Sequence, residues 1–316
     1  MHGTLLNRPL GIAALLLGAL AMVNSAAGQE DITRPARRLA PGVETHIPAK
    51  VEAEETSSIH NIVELTSIPD LPWTPNYTAP SRTLHAKADN ARFTRRIWGL
   101  EFYFKPLRMI YVDIPQPSGR MQRKPVWYMV YRVKNTGEAY RPQIGDLGEY
   151  ELTKDAAPVR FIPQFVLESL EFDKAYVDRI IPVALPQIQE RESPPMRLRT
   201  SVEMAETEIP VSTEDEDRSV WGVTMWVDVD PRIDFFTVHV QGLTNAYKWV
   251  DPPGAYALGD PPATGRRFVR KTLQLNFWRP GDENEQREEE IRFGTPEGQH
   301  ELYGVEEGVD YTWVYR

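Results

Sequence analysis

Cysteine is absent from the 316-residue chain. Its absence excludes disulfide bonds, thiolate metal sites, a thiol nucleophile and a lipid-modified N-terminal cysteine. Whatever fold forms must therefore be stabilised by its hydrophobic core alone. Export without cysteine is also more typical of bacterial envelope proteins than of eukaryotic secreted domains, which commonly rely on disulfides.

The motifs of metal and nucleotide enzymes are missing as well. None of the histidines forms an HxH, HxxxH or HExxH spacing that would hold zinc. No Walker loop or GxSxG elbow occurs, and Ser118 lies in a turn-rich PQPSGR stretch rather than at a strand-turn-helix elbow. We therefore expect no resident cofactor. The isolated histidines of the chain beyond His2 are His46, His60, His85, His239 and His300.

Positive charge is in deficit. The chain has 36 Lys and Arg against 45 Asp and Glu, a formal net charge of -9 and a pI near 5.3. A general nucleic-acid binder needs a surplus of Lys and Arg on one face, so this class is disfavoured. The basic residues between positions 92 and 124 are close in sequence, but a solvated or edge-protecting set of charges is the favoured interpretation.

Long apolar runs are confined to the N-terminus. Residues 11–23 form an apolar segment that follows Arg8 and precedes the small residues 25–28, which predicts a signal peptide over residues 1–28. The run is shorter than the roughly 20 residues that a spanning helix needs, so cleavage is favoured over retention as an anchor. We expect an exported protein of the periplasm or cell exterior, without a stable membrane span after cleavage.

Residues 29–92 predict an extended, proline-rich arm that is partly disordered. Proline fixes φ and removes a backbone donor, so prolines spread through an acidic, polar segment disfavour regular structure. We expect the stretch up to about residue 58 to be disordered. Apolar residues within 59–73 are expected to pin the arm to the following domain as an edge strand.

Residues 93–316 predict a β domain. Its clearest strand is the first part of residues 126–137, where aromatic and β-branched residues alternate as in a half-buried strand. Asn135 and Gly137 tolerate positive φ, so the chain can reverse there. One face of the strand carries Trp127, Met129, Tyr131 and Val133, and the other carries Tyr128, Val130, Arg132 and Lys134.

Two antiparallel strand pairs are expected. The first joins residues 107–114 to residues 126–133, with an interruption at Lys105-Pro106 just before it. The second joins residues 221–229 to residues 233–241 through an Asp-Pro-Arg turn. Further strand candidates are residues 97–104, 150–153, 159–167, 201–211, 268–278, 290–293 and 311–315.

Residues 173–192 interrupt the strand pattern, because their apolar residues recur at helical spacing. Asp173 is the expected N-cap. Pro182 and Pro186 would break a single long helix. We therefore expect two short helical pieces with a kink before Pro182, inserted between strands and packed on the sheet or at its end.

About nine or ten short strands with turn signals between them indicate a mainly β fold, an immunoglobulin-like β-sandwich with a kinked helical insertion. The Cys…Trp…Cys spacing of antibody domains is missing. Residues 131–140 and 240–249 each run from a strand through a polar turn to a tyrosine. This similarity between the two segments is compatible with two tandem sandwiches or with two hairpins of one sandwich, and we favour one elaborated domain.

Trp226 and Trp249 are the candidate ligand-stacking residues. Trp226 is expected opposite the apolar face of its strand, and Trp249 beside an Asp-Pro-Pro loop. Exposed rings of this kind suit a sugar or a partner surface, although packing under a loop or the insertion is the favoured interpretation. Asp228 and Asp230 lie on one face next to a turn, where they could bridge a calcium ion or simply cap a hairpin.

Two segments resemble uncharacterised secreted bacterial proteins, and together they cover about a fifth of the chain. They are RRIWGLEFYFKPLRMIYVDIPQPSGRMQRKPVWYMVYRVKNTG at residues 95–137 and DVDPRIDFFTVHVQGLTNAYKW at residues 228–249. The Asn-Thr-Gly turn is also similar to the strand ends of bacterial immunoglobulin-like envelope modules. The resemblance implies a fold and a location, and no activity or catalytic residue.

We therefore expect an exported, non-catalytic β-sandwich protein of the cell envelope that acts as a structural or protein-interaction module. An envelope protein or a glycan is the expected partner, and nucleic acid is not. A carbohydrate-binding module is one alternative, and a hydrolase with carboxylate chemistry hidden in the sequence is another. Exposed coplanar aromatic rings would favour the first alternative, and a deep pocket with convergent titratable groups the second.

Overall fold

The computed structural model describes residues 42–60, 91–146, 149–250, 252–255, 264–280 and 291–316. The predicted signal peptide lies outside the described residues, as do residues 29–41 and 61–90 of the predicted arm. Expectations for those stretches, including the edge strand beyond residue 60, stay predictions. Within the described residues, no helix is long and apolar enough to cross a membrane.

Strands dominate the described residues, and helices are few and short. The strands are β1 (Thr45–Ile47), β2 (Ser57–His60), β3 (Ala91–Thr94), β4 (Ile97–Trp98), β5 (Glu101–Phe104), β6 (Arg108–Pro115), β7 (Met121–Lys134), β8 (Ala139–Ile144), β9 (Tyr150–Lys154), β10 (Val159–Arg160), β11 (Gln164–Ser169), β12 (Lys174–Val177), β13 (Glu208–Ile209), β14 (Val220–Val227), β15 (Phe235–Gln241), β16 (Tyr247–Val250), β17 (Arg267–Trp278), β18 (Arg292–Phe293) and β19 (Tyr311–Tyr315). The α-helices are α1 (Leu185–Glu192) and α2 (Ser201–Glu206), and 3-10 turns occur at Ala53–Thr56 and His300–Tyr303.

The first sheet is built around β7, which contains the strand predicted from residues 126–133. β14 pairs with one side of β7, and β5 and β6 pair end to end with the other side, all antiparallel. Arg108 lies opposite Tyr128, which confirms the first predicted pair. Lys105 and Pro106 separate β5 from β6, as predicted from the proline.

The second sheet has β15 and β17 at its centre. β11 and β12 extend the sheet beyond β15. β16 continues the line of β15 along β17, while β18 and β19 pair with the opposite side of β17. The strands predicted at residues 268–278 and 311–315 are confirmed as β17 and β19. The second predicted pair is wrong, because its two strands, β14 and β15, belong to different sheets.

The two sheets pack face to face around an aromatic core. Tyr131 packs against Phe165 with ring centroids 4.8 Å apart. Trp127 meets Phe236 edge to face at 5.5 Å. These contacts confirm the mainly β, sandwich-type fold. The immunoglobulin-like strand connectivity and the division of the chain into domains stay predictions.

The segment between β12 and β14 covers the outer face of the first sheet. Tyr128 and Val130 of β7 and Val223 of β14 pack in a second apolar cluster with Ala184 and Ile188. β7 is therefore buried on both faces from Val126 to Tyr131, whereas its alternation predicted a half-buried strand. The division of its side chains between two faces is as predicted, because the two sets enter different clusters.

The insertion is less helical than its apolar spacing predicted. Only Leu185–Glu192 forms an α-helix, while Lys174–Val177 forms β12 as the hairpin partner of β11. Asp173 is consequently a turn residue with φ of 50° and not an N-cap. Pro186 fits within the first turn of α1, where a missing N–H removes no intrahelical hydrogen bond.

Residues 201–211 were expected as a weak strand, but they begin with helix α2. The Thr200 hydroxyl accepts a hydrogen bond from the Glu203 N–H at 3.3 Å, and the Glu203 carboxylate accepts one from the Thr200 N–H at 2.9 Å. This reciprocal capping box stabilises a helix start. Only Glu208–Ile209 then forms a strand, β13.

Part of the predicted disordered arm is folded. Thr45–Ile47 form β1 against β5, and the Ile47 side chain is buried in the core. The 3-10 turn at Ala53–Thr56 buries the side chains of Glu55 and Thr56. Local composition disfavoured structure here, but contacts with residues far along the chain supply the stabilisation that composition does not report.

Trp127→Ala is expected to lower the free energy of unfolding by about 3–5 kcal/mol, because a cavity replaces a fully buried ring. Chemical denaturation measures the change. Tyr111→Ala is the control, since Tyr111 is half exposed on β6 and its removal should change stability by only about 0.5 kcal/mol. An unchanged unfolding midpoint for Trp127→Ala would contradict this placement of the core.

Candidate functional site

A cleft of about 250 Å³ opens where β16 and β19 meet the first 3-10 turn and the start of β2. We call it the aromatic cleft. Its aromatic lining residues are Tyr247, Trp249 and Tyr315. Its charged lining residues are Glu52, Glu54, Glu55, Arg95 and Lys248.

Tyr247 and Trp249 supply an aromatic wall from β16. Side chains two residues apart share one face of a strand, and antiparallel pairing with Arg267–Arg270 of β17 holds β16 in place. Their ring centroids are 6.4 Å apart, and the Arg266 guanidinium lies 4.9 Å from the Trp249 ring. Both side chains are partly exposed, so each ring retains surface that a ligand can contact.

A buried ion pair between Glu55 and Lys271 lies at the floor of the aromatic cleft. The Lys271 ammonium donates to the Glu55 carboxylate at 2.6 Å and to the Lys50 carbonyl at 3.0 Å. The Tyr315 hydroxyl donates to the same Glu55 oxygen. Because the Glu55 and Lys271 side chains are only 3% and 2% exposed, each charge depends on the other for compensation.

These contacts hold Glu55 in its ionised form. Burial by itself raises the pKa of Glu55, but the hydrogen bonds from Lys271 and Tyr315 outweigh burial and bring this pKa below its ordinary value. Burial, reinforced by the hydrogen bond to Glu55, raises the pKa of Tyr315 well above its ordinary value. The pair is therefore a fixed carboxylate and a fixed phenol at neutral pH, which is a structural arrangement and not that of a proton donor.

Arg95 links the two sides of the aromatic cleft. Its Nε donates to the Glu55 carbonyl at 2.9 Å, its Nη2 donates to the Tyr247 carbonyl at 3.0 Å, and its guanidinium lies 4.0 Å from the Tyr247 ring. The buried Nη1 atom has no hydrogen-bond partner among the described residues. Arg95 thus fixes the position of Tyr247 relative to the 3-10 turn.

Opposite charges occupy the two sides of the aromatic cleft. Glu52 and Glu54 come from the 3-10 segment, and Glu52 lies 3.4 Å from Lys50. Lys248 comes from β16, with its ammonium 4.0 Å from the Tyr315 ring. Partly exposed rings beside carboxylates and an ammonium can stack on a small ligand and exchange hydrogen bonds with its polar groups.

The structure separates the two predicted stacking residues. Trp249 lines the aromatic cleft, whereas Trp226 is fully buried between the sheets opposite Trp127 and cannot stack on a ligand from solvent. Trp226 is buried because both faces of β14 are covered. The face that carries Trp221 packs on the insertion, and the face that carries Trp226 packs in the main core.

Asp228 and Asp230 each bind their own cation instead of converging on a shared ion. Asp228 is exposed and pairs with Lys124 at 2.6 Å. Asp230 is buried and binds Arg232 at 2.7 Å and also Lys174. Hydrogen bonds from these two cations hold the pKa of Asp230 far below its ordinary value. Across the described ranges, no group of three or more His, Cys, Asp or Glu residues is arranged to hold a metal ion.

Most of the aromatic cleft was missed by reading the sequence. Glu55 fell in the predicted disordered arm, and its partner Lys271 lies 216 residues further along. Tyr247 could have been found, because it precedes the predicted Trp249 by two residues and so shares its strand face. No local signal relates Arg95 or Tyr315 to either of them.

Comparison with known proteins finds no relative: no protein-family model matches the chain, and no curated protein or solved structure gives a significant match. The geometry of the aromatic cleft and the surface of the molecule therefore guide the proposals on function.

Lys271→Met is expected to lower the free energy of unfolding by about 3–5 kcal/mol, because the Glu55 carboxylate stays buried without its cation. The double variant Lys271→Met/Glu55→Leu removes both charges and should recover much of that loss. Chemical denaturation of the wild type, both single variants and the double variant yields the coupling energy. A double variant no more stable than Lys271→Met would show that charge pairing is not what this contact provides.

Proposed function

We propose that this protein is an exported, non-catalytic β-sandwich protein of the bacterial envelope that acts by binding a ligand in the aromatic cleft. The observation that carries the proposal is that partly exposed Tyr247 and Trp249 line a cleft whose buried carboxylate, Glu55, is already compensated by Lys271. The predicted signal peptide and the lack of cysteine support export.

The ionisation of the acidic groups supports binding over catalysis. A carboxyl general acid needs a raised pKa, yet the pKa of the cleft residue Glu55 is lowered by its partners. Burial and repulsion from Asp234 raise the pKa of Glu171, and burial raises the pKa of Asp234, but neither residue lines the aromatic cleft. A hydrolase with carboxylate chemistry is therefore less well supported.

A carbohydrate is the ligand class that fits this cleft best. Aromatic rings stack on the C–H faces of sugars, and the Glu52 and Glu54 carboxylates can accept hydrogen bonds from sugar hydroxyls. The volume of about 250 Å³ is below the roughly 300–1,000 Å³ of typical small-molecule sites. We therefore propose that one sugar unit of a glycan enters, with the rest of the glycan outside.

A protein partner is a second candidate, and the β8–β9 hairpin favours it. Ile144 pairs with Tyr150, and Leu152 lies two residues further along on the same face. All three side chains are exposed, which makes an apolar patch on a hairpin. Contiguous exposed apolar patches mark interaction surfaces, whereas apolar residues scattered singly over a surface do not.

Trp249→Ala is expected to weaken glycan binding about 10- to 100-fold, the equivalent of about 1.5–3 kcal/mol for losing a large apolar contact. Calorimetric titration of the mature chain with neutral, N-acetylated and acidic oligosaccharides measures the affinity. Tyr111→Ala removes an exposed aromatic ring from β6 and should leave binding unchanged.

If no oligosaccharide binds the wild type, the glycan proposal is wrong. Capture of one envelope protein that is lost in Tyr150→Ser/Leu152→Ser but kept in Trp249→Ala would then support the protein-partner candidate. Release of shortened oligosaccharides during the titration would overturn the assignment as non-catalytic.

A further inference from the structure

The end of the β16–β17 hairpin extends past the strands that flank the rest of β17. Residues Lys271 to Leu275 of β17 pair with β19, and the backbone of Arg270 bonds that of Arg316. Residues Arg267 to Val269 pair with β16 alone within the described residues. We call Tyr247–Val250 together with residues 266–270 the basic ribbon.

The basic ribbon is cationic in a chain whose net charge is -9. Its cations are Lys248, Arg266, Arg267 and Arg270, and it contains no acidic residue. Lys248, Arg267 and Arg270 are exposed, and none of these three forms an ion pair with any residue in the described part of the chain. By contrast, the buried ammonium groups of Lys105 and Lys271 are compensated by carboxylates.

Exposed apolar side chains lie among these cations. The Phe268 and Val250 side chains are 61% and 52% exposed. Phe268 lies opposite Trp249, and Val250 lies opposite Arg267 in the neighbouring pair, so Phe268 and Val250 project from opposite faces of the hairpin. Among the described residues, the end of the ribbon therefore carries an exposed apolar side chain on each face, with Arg266 and Arg267 next to them in sequence.

We propose that the basic ribbon docks on an anionic lipid bilayer. Phe268 and Val250 enter the boundary between headgroups and acyl chains, and the neighbouring cations contact lipid phosphates. Long basic side chains can keep their charge at the headgroup level while their stems lie along apolar surface. Buried apolar area and attraction to anionic lipids together determine the strength of such binding.

The alternatives match fewer of these features. An anionic polysaccharide would use the cations but give no role to exposed Phe268 and Val250. A flat protein surface would cover one face of the hairpin, whereas apolar side chains project from both. The basic ribbon shares Tyr247, Lys248 and Trp249 with the aromatic cleft, but Val250, Phe268, Arg267 and Arg270 do not line that cleft. Substitutions at these four positions therefore test the proposal separately from ligand binding in the cleft.

Sedimentation with vesicles tests the proposal. The mature chain is mixed with phosphatidylcholine vesicles, or with vesicles that contain about 30% phosphatidylglycerol, from about 0.05 to about 0.5 M salt. We expect binding to the anionic vesicles only, weakening as salt increases. Arg267→Glu/Arg270→Glu should reduce the partition coefficient at least 25-fold, since each lost cation costs about 5-fold.

Two further variants separate the sources of affinity. Val250→Ser/Phe268→Ser keeps every charge and is expected to reduce vesicle binding about 10-fold or more through lost apolar burial. Arg120→Glu/Arg123→Glu makes the same charge change at the exposed end of the β6–β7 hairpin and should retain binding. All of these side chains are exposed, so melting temperatures should match the wild type.

Equal loss in the Arg120→Glu/Arg123→Glu control would overturn the proposal, because attraction would then depend on overall charge. Vesicle binding that is unchanged in both ribbon variants would overturn it as well. Tight binding to soluble dextran sulfate that is unaffected by Val250→Ser/Phe268→Ser, with no vesicle binding, would assign the basic ribbon to an anionic polymer.

Discussion

The constraint on which the rest of the structure depends is the burial of β7 on both faces. One set of its side chains packs between the sheets, where Tyr131 meets Phe165. The other set packs under the insertion, where Tyr128 joins the cluster of Ile188. Like its neighbour β14, this strand contributes side chains to both apolar clusters. Packing changes on one side of β7 are therefore transmitted to the other, since close-packed interiors transmit strain.

Charge is arranged around this core by pairing. Tyr128 also donates to Glu192 at 2.8 Å, and Lys105 donates to the Glu192 carbonyl at 3.0 Å, so the insertion is tied to the first sheet by polar as well as apolar contacts. In the second sheet, Lys271 binds Glu55 and so joins an N-terminal segment to that sheet. Breaking such a pair leaves one uncompensated buried charge, which makes each pair a strong constraint on geometry.

Sequence patterns predicted the strands best where one face is apolar and turns follow. β7, β17 and β19 were found because alternation and turn residues agreed. The sequence could not predict which face of β14 packs in the main core, since both faces of that strand are apolar. Only the tertiary structure shows that Trp226 lies in the main core and Trp221 under the insertion. Likewise, the spacing of Tyr176 and Val177 fits a helix as well as a strand. No local sequence pattern indicates the contact between Glu55 and Lys271, which lie 216 residues apart. The floor of the aromatic cleft therefore could not be predicted, even though Trp249 was predicted as a stacking residue.

The separation of these cleft residues along the chain has a consequence for the order in which the cleft can form. The aromatic cleft combines Glu55 with Tyr315, which lie 260 residues apart. As the chain is synthesised from the N-terminus onward, Glu55 emerges long before Lys271 and Tyr315, the groups that compensate its charge. Until β17 and β19 follow, the aromatic cleft cannot be complete. An intact cleft therefore requires that the early and the late strands of the β-sandwich have folded together.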